Sequence, residues 1–200
     1  SADTLLIEDT YYTDGAEVDR QALHKRIDEY AAQRGWSIVE DIRQEKGSLP
    51  LLLSGDFKTM WRGAAPQGGG VPIGLRAGLF HPITGYSLPA SSRTAVALAK
   101  ITGPLTTRRV METVEDMARR HFRRTWYDRM LNRQLFLAGK PEHRHRIMSR
   151  FHKLPQPLIE RFYAGRLPPA YQLRILFGKP PVPIMGAMKA LPERAALQAR

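Results

Sequence analysis

GLRAGLFHPITGYSLP, residues 74–89, decides how the chain is read, because it sets glycine punctuation and a His-Pro corner directly before a helical pattern. Gly74, Gly78 and Gly85 carry no Cβ, so the backbone can turn with positive φ and approach a bound group more closely than a substituted residue permits. Thr84, Tyr86 and Ser87 supply hydroxyls and N–H groups beside a helix expected to begin near Ser91, whose dipole favours an anion or an electron-rich ring. From the residues alone two readings stand, a loop that cradles a ligand and a plain structural turn.

On the N-terminal side the pattern reads as mixed strand and helix. Residues 4–13 are rich in Leu, Ile, Thr and Tyr and predict a strand. Asp19 is the expected N-cap of a helix whose Leu23, Ile27, Tyr30 and Ala31 share one face, and Gly35 closes it. Residues 36–44 and 48–54 predict two more strands, giving a β-α-β-β element. Gly68, Gly69 and Gly70 read as a linker or tight loop. On the C-terminal side Met111, Val114, Ala118, Phe122, Trp126 and Met130 recur at spacings of three and four, with Arg119, Arg120, Arg123 and Arg124 between them. That predicts one long basic amphipathic helix, followed by shorter ones broken at 139–141, 155–157, 165–169 and 178–183, where Gly and Pro interrupt.

The 200 residues carry a net charge of +12, and all of the excess is C-terminal. Residues 1–100 hold 11 Lys/Arg against 12 Asp/Glu, residues 101–200 hold 20 against 7. A surface of that kind attracts nucleic acid or the anionic face of a bilayer. Bulky apolar groups interleave with the arginines from Phe151 to Phe177, which suits a monotopic membrane surface and equally a helical core with a solvated basic face. Cysteine is absent, so thiolate metal sites and disulfides are excluded. His143 and His145 would point about 200° apart on a helix, and His24, His121 and His152 have no partner at ligand spacing, so no metal site is expected. Ser87 lacks the flanking glycines of a hydrolase elbow.

Six stretches carry a resemblance: LLIEDTYY (5–12), VDRQAL (18–23), LPLLLSGD (49–56), FHPITGYSLP (80–89), LIERFYAGRL (158–167) and GKPPVPI (178–184). In this order they resemble the bacterial lycopene β-cyclases, flavoproteins related to the aromatic-hydroxylase type of FAD enzyme. The resemblance implies an α+β fold, the C-terminal part of an FAD-dependent hydroxylase-like protein. It divides the chain into part of a substrate-binding sheet region at 1–64, a flavin-contacting loop and helix at 65–103, and a basic helical lobe at 104–200. No GxGxxG turn occurs, and the chain opens with Ser1 rather than Met, so the dinucleotide-binding N-terminal half is expected to be missing. Hydroxylase-type enzymes place an Asp after the first glycine of the flavin segment; here that position is Leu75, which leaves the ribityl contact unassigned.

By the same resemblance, Gly74, Ala77, Gly78, Thr84, Gly85 and Tyr86 contact FAD through backbone, while His81 and Pro82 shape the corner. Glu8 is implied as the acid of a ring closure of lycopene, with FAD kept reduced by NADPH or NADH. Its neighbour Asp9 would lie on the other face of a strand. From residues alone such an acidic pair is either solvent-facing or a buried acid with a raised pKa. Tyr11, Tyr12 and Tyr86 are candidates for cation–π stabilisation of a carbocation. The expected partners are lycopene, the N-terminal half and peripheral lipids at the cytoplasmic face of the membrane, with no transmembrane helix and no nucleic acid. The competing classes are a flavin-dependent reductase of an isoprenoid lipid and a basic helical nucleic-acid-binding protein.

Overall fold

A computed structural model describes residues 4–15, 17–64, 69–176 and 182–194, and every regular element among them is helical. The expectation of an α+β fold with a partial substrate-binding sheet is therefore corrected: no strand occurs among the described residues. The β-branched and aromatic residues of 4–13, 36–44 and 48–54 record side chains that suit a pleated surface, yet a strand exists only where its backbone meets a ladder partner. None of these segments finds one, and all three run as irregular chain.

Two units are distinguished, Ser1–Pro50 and Leu51–Arg200. In the first, α1 (Arg20–Gln33) starts where the Asp19 carboxylate accepts the Ala22 N–H at 3.0 Å, and ends at Gly35 with φ 70°. Its Arg26 donates to Asp9 at 2.6 Å and lies over the Tyr11 ring, while Arg34 covers Tyr30 and Trp36. Ala31 is the one buried apolar residue described in this unit, and Leu6 and Val39 stand 93% and 95% exposed.

The second unit holds α2 (Phe57–Ala64), α3 (Leu88–Ala99), α4 (Thr107–Arg124), α5 (Trp126–Leu137), α6 (Arg144–Phe151), α7 (Gln156–Tyr163), α8 (Pro169–Leu176) and α9 (Ile184–Ala190). Asp56 opens α2 by accepting the Thr59 N–H at 2.8 Å and its hydroxyl at 3.0 Å. α3 begins ahead of the expected Ser91, because Pro89 fits the first turn, where no intrahelical donor is needed. The single long helix read from 111–130 is two helices. Thr125 sits between them with its hydroxyl donating back to the His121 carbonyl at 2.9 Å, and the chain leaves helical geometry there (φ −88°, ψ 17°). The expected break at 178–183 falls partly on residues outside those described.

Val114 and Ala118 of α4 pack with Ala90 of α3 and with Ala77 and Leu79 of the glycine segment to form the core. Phe57 and Trp61 of α2 close it from one side. A second cluster joins Phe151 of α6 and Phe162 of α7, whose rings lie 4.6 Å apart, to His81, 4.8 Å from Phe162. α9 presses against α5 so closely that a Cβ on Gly186 would overlap the Ala138 carbonyl. Among the described residues no helix is long and apolar enough to cross a membrane.

Candidate functional site

The glycine segment folds as two linked turns. Gly74–Ala77 form one turn of 3-10 helix, Gly78 takes φ 69° to end it, and the Leu79 N–H returns to the Gly74 carbonyl at 2.9 Å. His81 to Tyr86 then closes on itself: the His81 N–H donates to the Tyr86 carbonyl and the Gly85 N–H to the His81 carbonyl, both at 2.9 Å. Gly85, at φ 69°, supplies the left-handed residue that this closure requires. Thr84 accepts the Tyr86 N–H at 3.2 Å.

Burial divides the expected contact residues. Ala77, His81, Pro82 and Gly85 are buried, Thr84 is half-buried, and Tyr86 is 46% exposed. Gly74 has φ 56° and would meet no atom within 4 Å if it carried a Cβ, so open space lies directly over its backbone. Gly78 differs: a Cβ there would come 3.0 Å from the Met60 methyl, so its smallness serves packing against α2. Gly74, Thr84 and Tyr86 thus offer the accessible surface of the segment, and the buried members hold it in shape. This is a surface that a planar ligand can approach at backbone distance, which fits the implied flavin.

Three side chains missed in the sequence hold backbone carbonyls in the corner and in the segments beside it. Asn132 of α5 is wholly buried and donates to the Pro82 carbonyl at 2.7 Å and the Leu52 carbonyl at 3.0 Å, while its own Oδ1 has no partner. Arg133 donates to the carbonyls of Leu53, Ala190 and Leu191 at 2.6, 3.1 and 2.7 Å. His121 of α4 holds the Phe80 carbonyl at 2.8 Å through Nε2. The available signal was polar residues interrupting an apolar face, Arg129, Asn132 and Arg133 against Met130 and Leu135.

Electrostatics follow from burial. His81 accepts the Ile83 N–H at Nδ1 (3.3 Å), which leaves the ring proton on Nε2. Burial, opposed by the Phe162 backbone and aided by His121, holds its pKa down to about 4, so the ring is neutral at pH 7. His121 is lowered too, chiefly by burial and then by Arg93, Arg124 and Arg129. Asp128, in the first turn of α5, is pushed up to about 7 by burial against the opposing charge of Arg129.

Glu8 belongs to the other unit. Its carboxylate is exposed and accepts the Thr10 hydroxyl at 3.1 Å, while neighbouring Asp9 is the group tied to Arg26. Tyr11 is 42% exposed beneath Arg26.

A family model described as "Lycopene cyclase protein" matches residues 1–189. The chain belongs to the lycopene cyclase family. A protein named lycopene beta-cyclase from Paracoccus sp. (strain N81106 / MBIC 01143) is 46% identical over 194 residues, covering 97% of this chain and 50% of the relative. Those of Pseudescherichia vulneris and Pantoea ananas are 48% and 45% identical, over 95% and 94% of the chain. The chain spans about half the length of the curated relatives it matches. No solved structure gives a significant match.

Proposed function

We propose that this chain is part of a lycopene β-cyclase, which converts the ψ-ends of lycopene to β-ionone rings by a proton-initiated, non-redox cyclisation assisted by reduced FAD. The observation that carries the reading is identity of 45–48% to proteins named lycopene beta-cyclase, over 94–97% of this chain. Because the chain matches half of their length, turnover is proposed for the full-length protein; these residues alone neither hold FAD tightly nor turn over.

Ring closure is an isomerisation. A proton adds to the terminal double bond, the tertiary cation is attacked by the next double bond, and a proton leaves the new ring. Protons in and out balance, and no electrons are gained. Glu8 is the proposed acid, and the Thr10 hydroxyl donates to its carboxyl at 3.1 Å. The turn at 74–86 is the proposed flavin surface, with Gly74, Thr84 and Tyr86 forward and Ala77, Gly78, His81, Pro82 and Gly85 bracing it. The neutral His81 ring adds no positive charge to that turn. When bound, the flavin kept reduced by NADPH or NADH supplies fixed negative charge beside a developing cation. Access to a hydrocarbon substrate is proposed to come from peripheral contact with the cytoplasmic face of the membrane; Ile184, Met185 and Met188 on α9 are 65%, 66% and 61% exposed, within a lobe rich in arginine.

The test uses the full-length protein in anionic liposomes loaded with lycopene, with FAD and NADPH and without oxygen, and compares wild type with Glu8→Gln. The expected result is β-ring product without matching NADPH loss in the wild type, and none in the variant. NADPH consumed in proportion to product would overturn the cyclase reading in favour of a reductase, and undiminished cyclisation in the variant would remove Glu8 as the acid.

A further inference from the structure

Unit Ser1–Pro50 has the side chains of a core and almost no core. Among its described residues Leu5, Leu6, Ile38, Val39, Ile42 and Leu49 are 48–95% exposed, and Ala31 is the one buried apolar residue. The segments that carry them meet α1 through other groups. Arg26 bonds Asp9 at 2.6 Å and lies over Tyr11, His24 Nε2 stands 3.1 Å from the Gln44 amide oxygen, and Arg34 lies over Trp36. These contacts leave the six aliphatic side chains outside. Residues 37–50 make no backbone–backbone hydrogen bond among the described residues. Each ordered residue gives up backbone entropy that burial of apolar surface must offset, and one buried apolar side chain does not offset it for a unit of this length. Single aliphatic groups on a surface are ordinary, but six in a unit without a core mark a face that something covers.

We propose that this face is an interface within the full-length protein, covered by the part of it that lies outside these 200 residues. Length supports that occupant. The family model takes in residues 1–189, unit Ser1–Pro50 included, and the curated relatives are about twice as long as the stretch they share with this chain. As much chain again is therefore at hand, and being covalently attached it meets the face at high effective concentration. Charge speaks against the other occupants. Residues 1–50 carry 11 Asp/Glu against 6 Lys/Arg, so an anionic bilayer or a nucleic acid is repelled, and a second copy would bring the same negative surplus. The inference rests on the chain being part of a longer protein of this family and not on the ring closure.

The experiment measures thiol labelling by a maleimide in the full-length protein for Leu6→Cys, Val39→Cys and Ile42→Cys, against Lys25→Cys at an exposed position on α1. These 200 residues contain no cysteine, so each introduced thiol is the one in them that reacts. The three apolar positions are expected to label about 100-fold more slowly than Lys25→Cys, and all four at one rate in denaturant. Photo-leucine built in at leucine positions then identifies what lies against Leu6 and Leu49; crosslinks to peptides outside these 200 residues, within one molecule, are expected. Labelling as fast as in Lys25→Cys overturns the interface. So does protection that is lost on dilution or appears only with vesicles, and so do crosslinks between two copies or into residues 51–200. Neither measurement needs turnover, so a protected face in a protein that forms no β-ring product would count against the cyclase reading alone.

Discussion

Asn132 has the most to lose from substitution among the residues around the turn. Both protons of its amide are used, on the carbonyls of Pro82 and Leu52, and the side chain has no exposed surface. Leucine fills nearly the same volume but leaves two buried carbonyls without a donor, a cost of about 2–4 kcal/mol. Asn132→Leu is expected to lower the unfolding free energy of the full-length protein in urea by that margin, seen as a lower midpoint, and to loosen flavin binding, read by fluorescence of released FAD. Unchanged midpoint and unchanged release would show that the corner holds itself. The glycines of this turn were legible in the sequence because positive φ leaves a compositional mark. Asn132 was not, since an asparagine inside a helical pattern carries no sign of which carbonyls the fold will bring to it.

Among the elements, α9 is set by a single missing methyl group. Gly186 lies against the Ala138 carbonyl at the end of α5, and Gln134 and Arg133 donate to the α9 carbonyls of Ala187 and Ala190. Gly186→Ala must push the helices apart and stretch those bonds, so a loss of about 1–3 kcal/mol is expected in thermal unfolding followed by circular dichroism. An unaltered melting curve would mean that α9 docks less closely. Helix positions were largely readable, because Asp19 and the proline breaks act through neighbours only a few residues away. The division of 107–137 was missed because apolar spacing continues across Thr125, and what interrupts the helix is a hydroxyl bonding backward. The strands failed for the opposite reason: residues 4–13, 36–44 and 48–54 carry strand-like side chains, but ladder partners cannot be inferred from propensity.

For the whole molecule, two buried titrating groups set opposite slopes of stability with pH. Asp128 is raised from its ordinary value to about 7, so the fold binds its proton more tightly than the unfolded chain does. Its contribution is complete below about pH 4 and is lost as pH rises through 7. His81 is lowered to about 4, so its contribution is complete above about pH 6.5 and is lost as pH falls through 4. Asp128→Asn should therefore raise stability at pH 8 by about 2 kcal/mol after allowance for partial exposure, and change little at pH 4. Melting curves at the two pH values decide it; equal effects at both would show that the carboxylate is not desolvated in the full-length protein.

Asn132 and Arg133, adjacent in α5, grip the carbonyls of Leu52 and Leu53, and each of the two bonds spans 80 residues of chain. A polypeptide leaving the ribosome has made residues 51–53 long before it makes their donors. That segment must wait unanchored while α2, α3 and α4 emerge, and it locks only when α5 arrives. A helix made well after it thus completes the earliest-made part of the unit, and a nascent chain halted before Asn132 would hold the turn's glycines without the bonds that fix its corner.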